Sequence, residues 1–433
     1  MAAGLAALNR VAGVTALDRL RVRRPVERGV YQATRAGFRT LGAATRAFGV
    51  ASGRGVRPGP SRLPAAAERS LFDLTPTEDQ QLMRAAAADF AAEQLRPVAA
   101  EADARCQPPE GLLRRASAEL GVNHIAIPAE FGGGGTERSV VSGVLVAEAL
   151  AHGDLGLALA LLAPSAVANA LVLWGSAEQQ ARYLPAFAEA DAPGAALAVL
   201  EPQPLFDPLA LQTRAVRSGA GFRLTGVKAL VPGAVAAELF LIAAEVPGEG
   251  PALFAIESDS RGVQIEAEPA MGLRPANLGR VVLDAVVLPA DSRLAAGPSY
   301  RDCIRLSRLG WAALAVGTAQ AVLDYVIAYV NQRYAFGEPI SNRQAVAFMV
   351  ADIGIELEGL RLATYRAASR AEQGRSFGRE VALARTLAAE HGMRIGSDGV
   401  QLLGGHGFVK EHPVERWYRD LRAAGLMEGA VLL

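Results

Sequence analysis

The feature that most constrains this chain is a change of period. From Ala195 to about Leu294, short apolar runs recur with a strand-like pattern: Leu239-Phe240-Leu241-Ile242, Leu253-Phe254-Ala255-Ile256, Val263-Gln264-Ile265 and Val281-Val282-Leu283. Pro247-Gly248 and Gly250-Pro251 punctuate them as turns. On both sides the pattern is helical. Leu112 to Leu120, Val140 to Ala151, Leu155 to Trp174 and Ala177 to Ala190 read as helices before the block, and everything from Tyr300 reads as helix after it. Val346, Val350, Ile353, Leu357 and Leu360 step by four, three, four and three residues, which is one face of a helix. About 100 residues of strand between two helical blocks predict a mainly helical α+β protein: an inserted β-barrel or small sheet domain, then a helical bundle. At 433 residues, two or three cores are expected. The boundaries read as 1–70 (an extension), 71–193 (helical), 194–297 (β) and 298–433 (bundle).

Composition narrows the function classes. Apolar residues make up 51% but aromatics only 6%, so the cores are built from Ala, Leu and Val, which suits closely approaching helices. The formal net charge is zero, which argues against a nucleic-acid binder. Only Lys228 and Lys410 are lysine, a composition typical of a GC-rich, bacterial genome. Cys106 and Cys303 lack metal or redox spacing, and the five histidines form no ligand pair, so no metal site is expected. Two runs, Leu155 to Trp174 and Trp311 to Val330, are apolar enough to resemble membrane spans. The first carries Asn169 and the second Asp324, and buried bundle helices are the expectation. Residues 1–70 hold thirteen Arg against Asp18, Glu27 and Glu68. Such an arm reads as an extension, with weak contact to an anionic membrane surface as one use and an organelle transit peptide as another. A cytoplasmic bacterial location is expected, or a mitochondrial one if the arm is a transit peptide.

The closing stretch carries readable chemistry. Gln401-Leu402-Leu403-Gly404-Gly405-His406-Gly407-Phe408 places three glycines in four positions, which lets backbone approach a large anion. Glu428 precedes Gly429 among Leu426, Met427 and Ala430. A carboxylate in apolar surroundings is a candidate general base, because burial disfavours its charged form.

Several motifs together resemble the acyl-CoA dehydrogenase family, over roughly Leu71 to Ala430. Pro128-Ala129-Glu130-Phe131-Gly132-Gly133, Met271-Gly272-Leu273-Arg274, Arg333-Tyr334-Ala335-Phe336-Gly337-Glu338-Pro339-Ile340 with Gln344, and Gln401 to Phe408 are similar to its signature segments. The resemblance implies an N-terminal helical domain, a β domain and a four-helix bundle. It implies FAD as cofactor, an acyl-CoA thioester as substrate, electron-transfer flavoprotein or a similar acceptor as partner, and a homo- or hetero-oligomer. By that resemblance Arg333 pairs with the FAD pyrophosphate of a neighbouring subunit, as the guanidinium fork suits. Phe336 and Gln344 lie against the adenosine, and Gln401, Gly404 and Gly405 approach the same dinucleotide. Val199 and Leu200 offer backbone to the flavin ring. Arg308 and Asp207 fall at the substrate, and Glu428 falls at the position of the base, which takes the α-proton while the β-hydrogen leaves as hydride. The departures cluster at the flavin ring. Leu200, Leu205 and Phe206 replace the family's Thr and Gly-Ser, and Leu230-Val231-Pro232 replaces Trp-Ile-Thr. Pro232 has no N–H to donate. Two readings follow: a dehydrogenase with a reshaped pocket, or a non-catalytic or half-site subunit of a heteromeric relative.

Overall fold

The computed structural model describes residues 74–433, except Asn123 and Ala190. The basic extension lies outside the described residues, and so do the arm readings made for it. The helical domain opens with α1 (Glu78–Phe90), α2 (Ala99–Arg105) and α3 (Leu112–Leu120), followed by α4 (Val140–Gly153), α5 (Leu155–Trp174) and α6 (Ala177–Phe187). Thr75-Pro76-Thr77-Glu78 is a helix start, but Thr77 is the cap: its hydroxyl accepts from the Gln80 N–H while the Gln80 side chain accepts from the Thr77 N–H. The Gly132–Gly135 run is a loop between helices. A Cβ at Gly133 would lie 2.0 Å from the Ile127 carbonyl oxygen, so this glycine is needed for close packing within the chain itself.

The middle domain is one eight-stranded sheet. Its strands are β1 (Ala195–Ala198), β2 (Arg214–Ser218), β3 (Gly221–Val231), β4 (Leu239–Val246), β5 (Gly250–Glu257), β6 (Val263–Ala267), β7 (Gly279–Leu288) and β8 (Arg293–Ala296). They run in the order β6-β7-β3-β2-β4-β5-β8, with β1 parallel to β4. The alternation along β4 has a direct cause. Leu239, Leu241 and Ala243 join the core shared with the helices, while Phe240, Ile242 and Ala244 pack with Phe222, Leu224, Val281 and Leu283 of β3 and β7. Both faces of β4 are therefore buried, which is why its sequence is continuously apolar.

The bundle is α7 (Pro298–Gln332), α8 (Gln344–Glu372) and α9 (Gly378–Leu403), closed by α10 (Val414–Leu421). A two-stranded hairpin, β9 (Tyr334–Ala335) and β10 (Glu338–Pro339), joins α7 to α8. Ala315, Ala319, Ala384 and Ala388 line its core beside Ile353, Leu357 and Leu360 of the expected stripe. Small residues bring helices close: a Cβ at Gly317 of α7 would lie 2.0 Å from the Glu148 carbonyl oxygen of α4. The membrane-like run Leu155–Trp174 is α5, and 94% of its most apolar window is buried inside the protein.

The Met271–Arg274 segment is a joint between domains. The Leu273 N–H donates to Asp420 Oδ1 (2.6 Å), and Arg419 donates to the Met271 carbonyl (2.9 Å) and to both oxygens of Asp103 (2.9 and 3.0 Å). A Cβ at Gly272 would stand 2.4 Å from the Arg419 carbonyl oxygen. Asp420 is wholly buried beside Asp154, and its Oδ2 has no partner among the described residues. Burial and the Asp154 charge push the Asp420 carboxyl up from 3.8 to about 7. A raised carboxyl favours the folded state below its unfolded value and loses that contribution as pH rises through the folded one. Stability from this group therefore falls between about pH 4 and pH 7. Asp420→Asn, which imitates the protonated form, should lessen the fall when urea unfolding is compared across this range, the remainder belonging to Asp154, whose carboxyl burial also raises.

Candidate active site

Glu428 is carried to the sheet by the backbone that follows α10. Gly429 forms an antiparallel bridge with Ala198 at the end of β1, and the Ala430 N–H donates to the Leu197 carbonyl (3.1 Å). The indole of Trp311 on α7 donates to the Gly429 carbonyl (2.9 Å). Gly429 has φ +68°, and a Cβ there would lie 2.5 Å from Val199 Cγ2, so only glycine fits. Residues separated by some 230 positions are thereby fixed side by side: the candidate base, and the Val199-Leu200 backbone expected at the flavin ring.

The carboxylate does not sit in a purely apolar setting, and here the structure corrects the sequence reading. Met427 and Ala430 are buried, but Leu426 is exposed, and the Glu428 head group faces two guanidiniums. Arg308 Nε donates to both carboxylate oxygens (2.9 Å each), and its Nη2 donates to Oε1 (2.6 Å). Arg385 Nη2 donates to the Met427 carbonyl (2.6 Å) and lies 3.7 Å from Oε1. Glu428 is 7% exposed, whereas the Arg308 side chain is 33% exposed, so the pair is reached from the arginine side. Burial lowers the Arg308 pKa, but the hydrogen bond and charge of Glu428 outweigh it, and the net direction is up. Burial lowers that of Arg385 despite Glu428, and Arg308 adds to the lowering. Arg385 had no sequence signal: it is one arginine among many on a long helix.

The loop after β1 completes this side. Asp207 is exposed, caps its own turn by accepting from the Leu209 N–H (2.9 Å), and adds to the field that raises Arg308. The Tyr300 hydroxyl of α7 donates to the Pro208 carbonyl (2.7 Å), tying the loop to the bundle. Behind Val199 and Leu200 lies an ion pair. Lys228 Nζ donates to the Val199 carbonyl (3.0 Å) and to Glu201 Oε1 (2.8 Å), while Glu201 also accepts from the Gln212 and Thr213 amides. Burial, opposed by Glu201, pushes Lys228 down to about 8. The Leu200 carbonyl accepts from the Ala229 N–H.

The remaining site residues stand elsewhere. Arg333 caps α7, Phe336 is in the hairpin that follows, Gln344 begins α8, and Gln401, Gly404 and Gly405 end α9. The Tyr329 hydroxyl joins the two helix ends by donating to the Leu403 carbonyl (3.5 Å). All six are exposed; Phe336 is 95% exposed, and the space beside Gly404 and Gly405 is open. Arg333 lies 25 residues beyond Arg308 on α7, or roughly 38 Å along the helix. The Arg308–Glu428 pair and Arg333 therefore stand near opposite ends of α7. An exposed cation and open glycine backbone fit a pyrophosphate, and the bridge beside Val199 and Leu200 fits a flavin ring.

The fold and site define a class: a three-domain flavin oxidoreductase scaffold. Residues 77–191, 196–286 and 299–431 match the N-terminal, middle and C-terminal domains of acyl-CoA dehydrogenase. The short/branched chain specific acyl-CoA dehydrogenase of Rattus norvegicus is 33% identical over 363 residues, 82% of this chain and 83% of that protein. Butyryl-CoA dehydrogenase from Megasphaera elsdenii is 29% identical with a TM-score of 0.75, covering 83% of this chain and 96% of that one. The FAD complex of PigA is 26% identical with a TM-score of 0.76, covering 83% and 96%. The chain belongs to the acyl-CoA dehydrogenase family, whose members are FAD-dependent oxidoreductases.

Two residues at the departures from the family pattern carry strain. Leu205, where the family has glycine, adopts φ +53° and is fully exposed, and Leu230 adopts φ +50°. Leu205 loses no packing on truncation, so Leu205→Gly should stabilise the protein by about 0.5–1 kcal/mol. A drop in Tm for that variant would show that Leu205 is held by contacts of its own.

Proposed function

We propose that this protein dehydrogenates an acyl-CoA thioester between the α- and β-carbons, with Glu428 as the base. The reading rests above all on the bridge between Ala198 and Gly429, which puts a buried carboxylate beside the strand end that the family uses for its flavin. Bound FAD supplies the two-electron acceptor for the β-hydrogen, which leaves as hydride. Arg308 and Arg385 fix the direction of the Glu428 carboxylate before substrate arrives. The thioester enters from the Arg308 side, and Glu428 exchanges one guanidinium contact for the α-proton. The Glu428 backbone N–H donates to the thioester carbonyl, which acidifies the α-carbon. Loss of one proton to Glu428 and one hydride leaves a 2-enoyl thioester. Holding the acyl group in this geometry is positioning catalysis.

The second half of each FAD site comes from another subunit in this reading, through Arg333, Phe336, Gln344, Gln401, Gly404 and Gly405. Phe348, Ile355 and Leu362, seven residues apart on α8 and all more than half exposed, supply an apolar face for such an oligomer. The electron acceptor proposed is an electron-transfer flavoprotein. One observation favours the alternative of a half-site subunit: Leu200, Leu230 and the buried Pro232 occupy the flavin-facing positions without a hydroxyl or aromatic ring among them.

Colour separates the two. Purified alone, the protein should be yellow and should bleach anaerobically with acyl-CoA. Glu428→Gln should keep the colour but bleach roughly 10²–10⁴-fold more slowly. A protein that is colourless alone and yellow only with a sister chain would overturn the dehydrogenase reading in favour of the subunit.

A further inference from the structure

Beyond Glu428 the chain turns inward, into the cleft between α4, α5 and α7. Val431 and Leu432 are 1% and 2% exposed. The Leu432 carbonyl accepts from the Asn169 side chain of α5 (2.8 Å). The helix walls are cut to fit this segment. A Cβ at Gly310 of α7 would lie 2.8 Å from Val431 Cγ1, and one at Gly143 of α4 would lie 3.1 Å from Leu433 Cδ2. Neither glycine has the positive φ that only glycine adopts freely, and both sit inside helices, where glycine is a poor former. What they provide is room for Val431 and Leu433.

This apolar interior adjoins the base. Gly310 is two residues from Arg308, which grips Glu428, and one from Trp311, which holds Gly429. A thioester with its α-carbon against Glu428 has to send the rest of its acyl chain into apolar surroundings, and on the Gly310 side of the base these are occupied by Val431 and Leu433.

We propose that Val431, Leu432 and Leu433 form the floor of the acyl site and restrict the substrate to a short acyl group. The inference rests on the dehydrogenase reading and adds the substrate class. In an open apolar cavity each buried methylene raises affinity about fourfold. Against a filled floor, each further methylene has nowhere to go.

The test is calorimetric titration of the purified full-length protein with crotonyl-CoA, trans-2-octenoyl-CoA and trans-2-dodecenoyl-CoA, products that do not turn over. The wild type should bind the four-carbon thioester at least about tenfold more tightly than the twelve-carbon one. A Val431→Ala/Leu433→Ala double variant should shift the octenoyl-to-crotonyl affinity ratio upward by at least about fivefold. Affinity that rises with chain length in the wild type overturns the floor, whatever the variant does. A folded variant with an unchanged length profile overturns it as well. Wild-type protein that binds none of the three thioesters overturns the dehydrogenase reading, and the floor falls with it.

Discussion

The short antiparallel bridge between Ala198 and Gly429 is the constraint on which the site depends. It joins the β domain to the last residues of the bundle domain and fixes Glu428 beside Val199 and Leu200. Its parts come from three elements. The sheet supplies the Leu197 carbonyl, α7 supplies the Trp311 indole, and glycine at 429 supplies a backbone that clears Val199. A carboxylate held this way cannot drift. The Arg308 fork then sets its direction with three hydrogen bonds of 2.6 to 2.9 Å. The Arg308 and Arg385 guanidiniums flank the carboxylate, and Asp207 adds to the field at Arg308.

The same economy explains the domain joint. Asp103 of the helical domain, Leu273 of the β domain, and Arg419 and Asp420 of the bundle meet in one buried polar network. Arg419 answers both oxygens of Asp103 and the Leu273 N–H answers Asp420 Oδ1, while Asp420 Oδ2 has no partner among the described residues. The Met-Gly-Leu-Arg segment, read in the sequence only as a family mark, has a structural task there. Gly272 admits the Arg419 backbone, and Leu273 docks on Asp420.

Much of this was legible beforehand because it is local. The switch of period near Ala195 and again near Tyr300 located the sheet, and the α3 and α5 spans matched the sequence reading. Glu428 was legible because it precedes a glycine at the end of a recognisable series of motifs. Other features left no local trace. The pairing of Arg308 with Glu428 spans 120 residues, and Arg385 reaches the same carboxylate from α9, well before the motif that begins at Gln401. No window of sequence encodes such a contact. The carboxylate was read as apolar because its chain neighbours are, whereas its spatial neighbours are guanidiniums. The separation of Arg308 from Arg333 likewise depends on α7 running unbroken from Pro298 to Gln332.

The proposal that each flavin is shared between subunits has a direct test. A mixed oligomer tests it. Arg333→Ala should lose FAD, and Glu428→Gln should keep FAD but lose turnover, so neither variant is active alone. Unfolded and refolded together, the two chains should regain acyl-CoA-dependent reduction of a dye, since some sites then combine an intact Glu428 from one chain with an intact Arg333 from the other. Mixed oligomers as inactive as the separate variants would contradict a site shared between subunits.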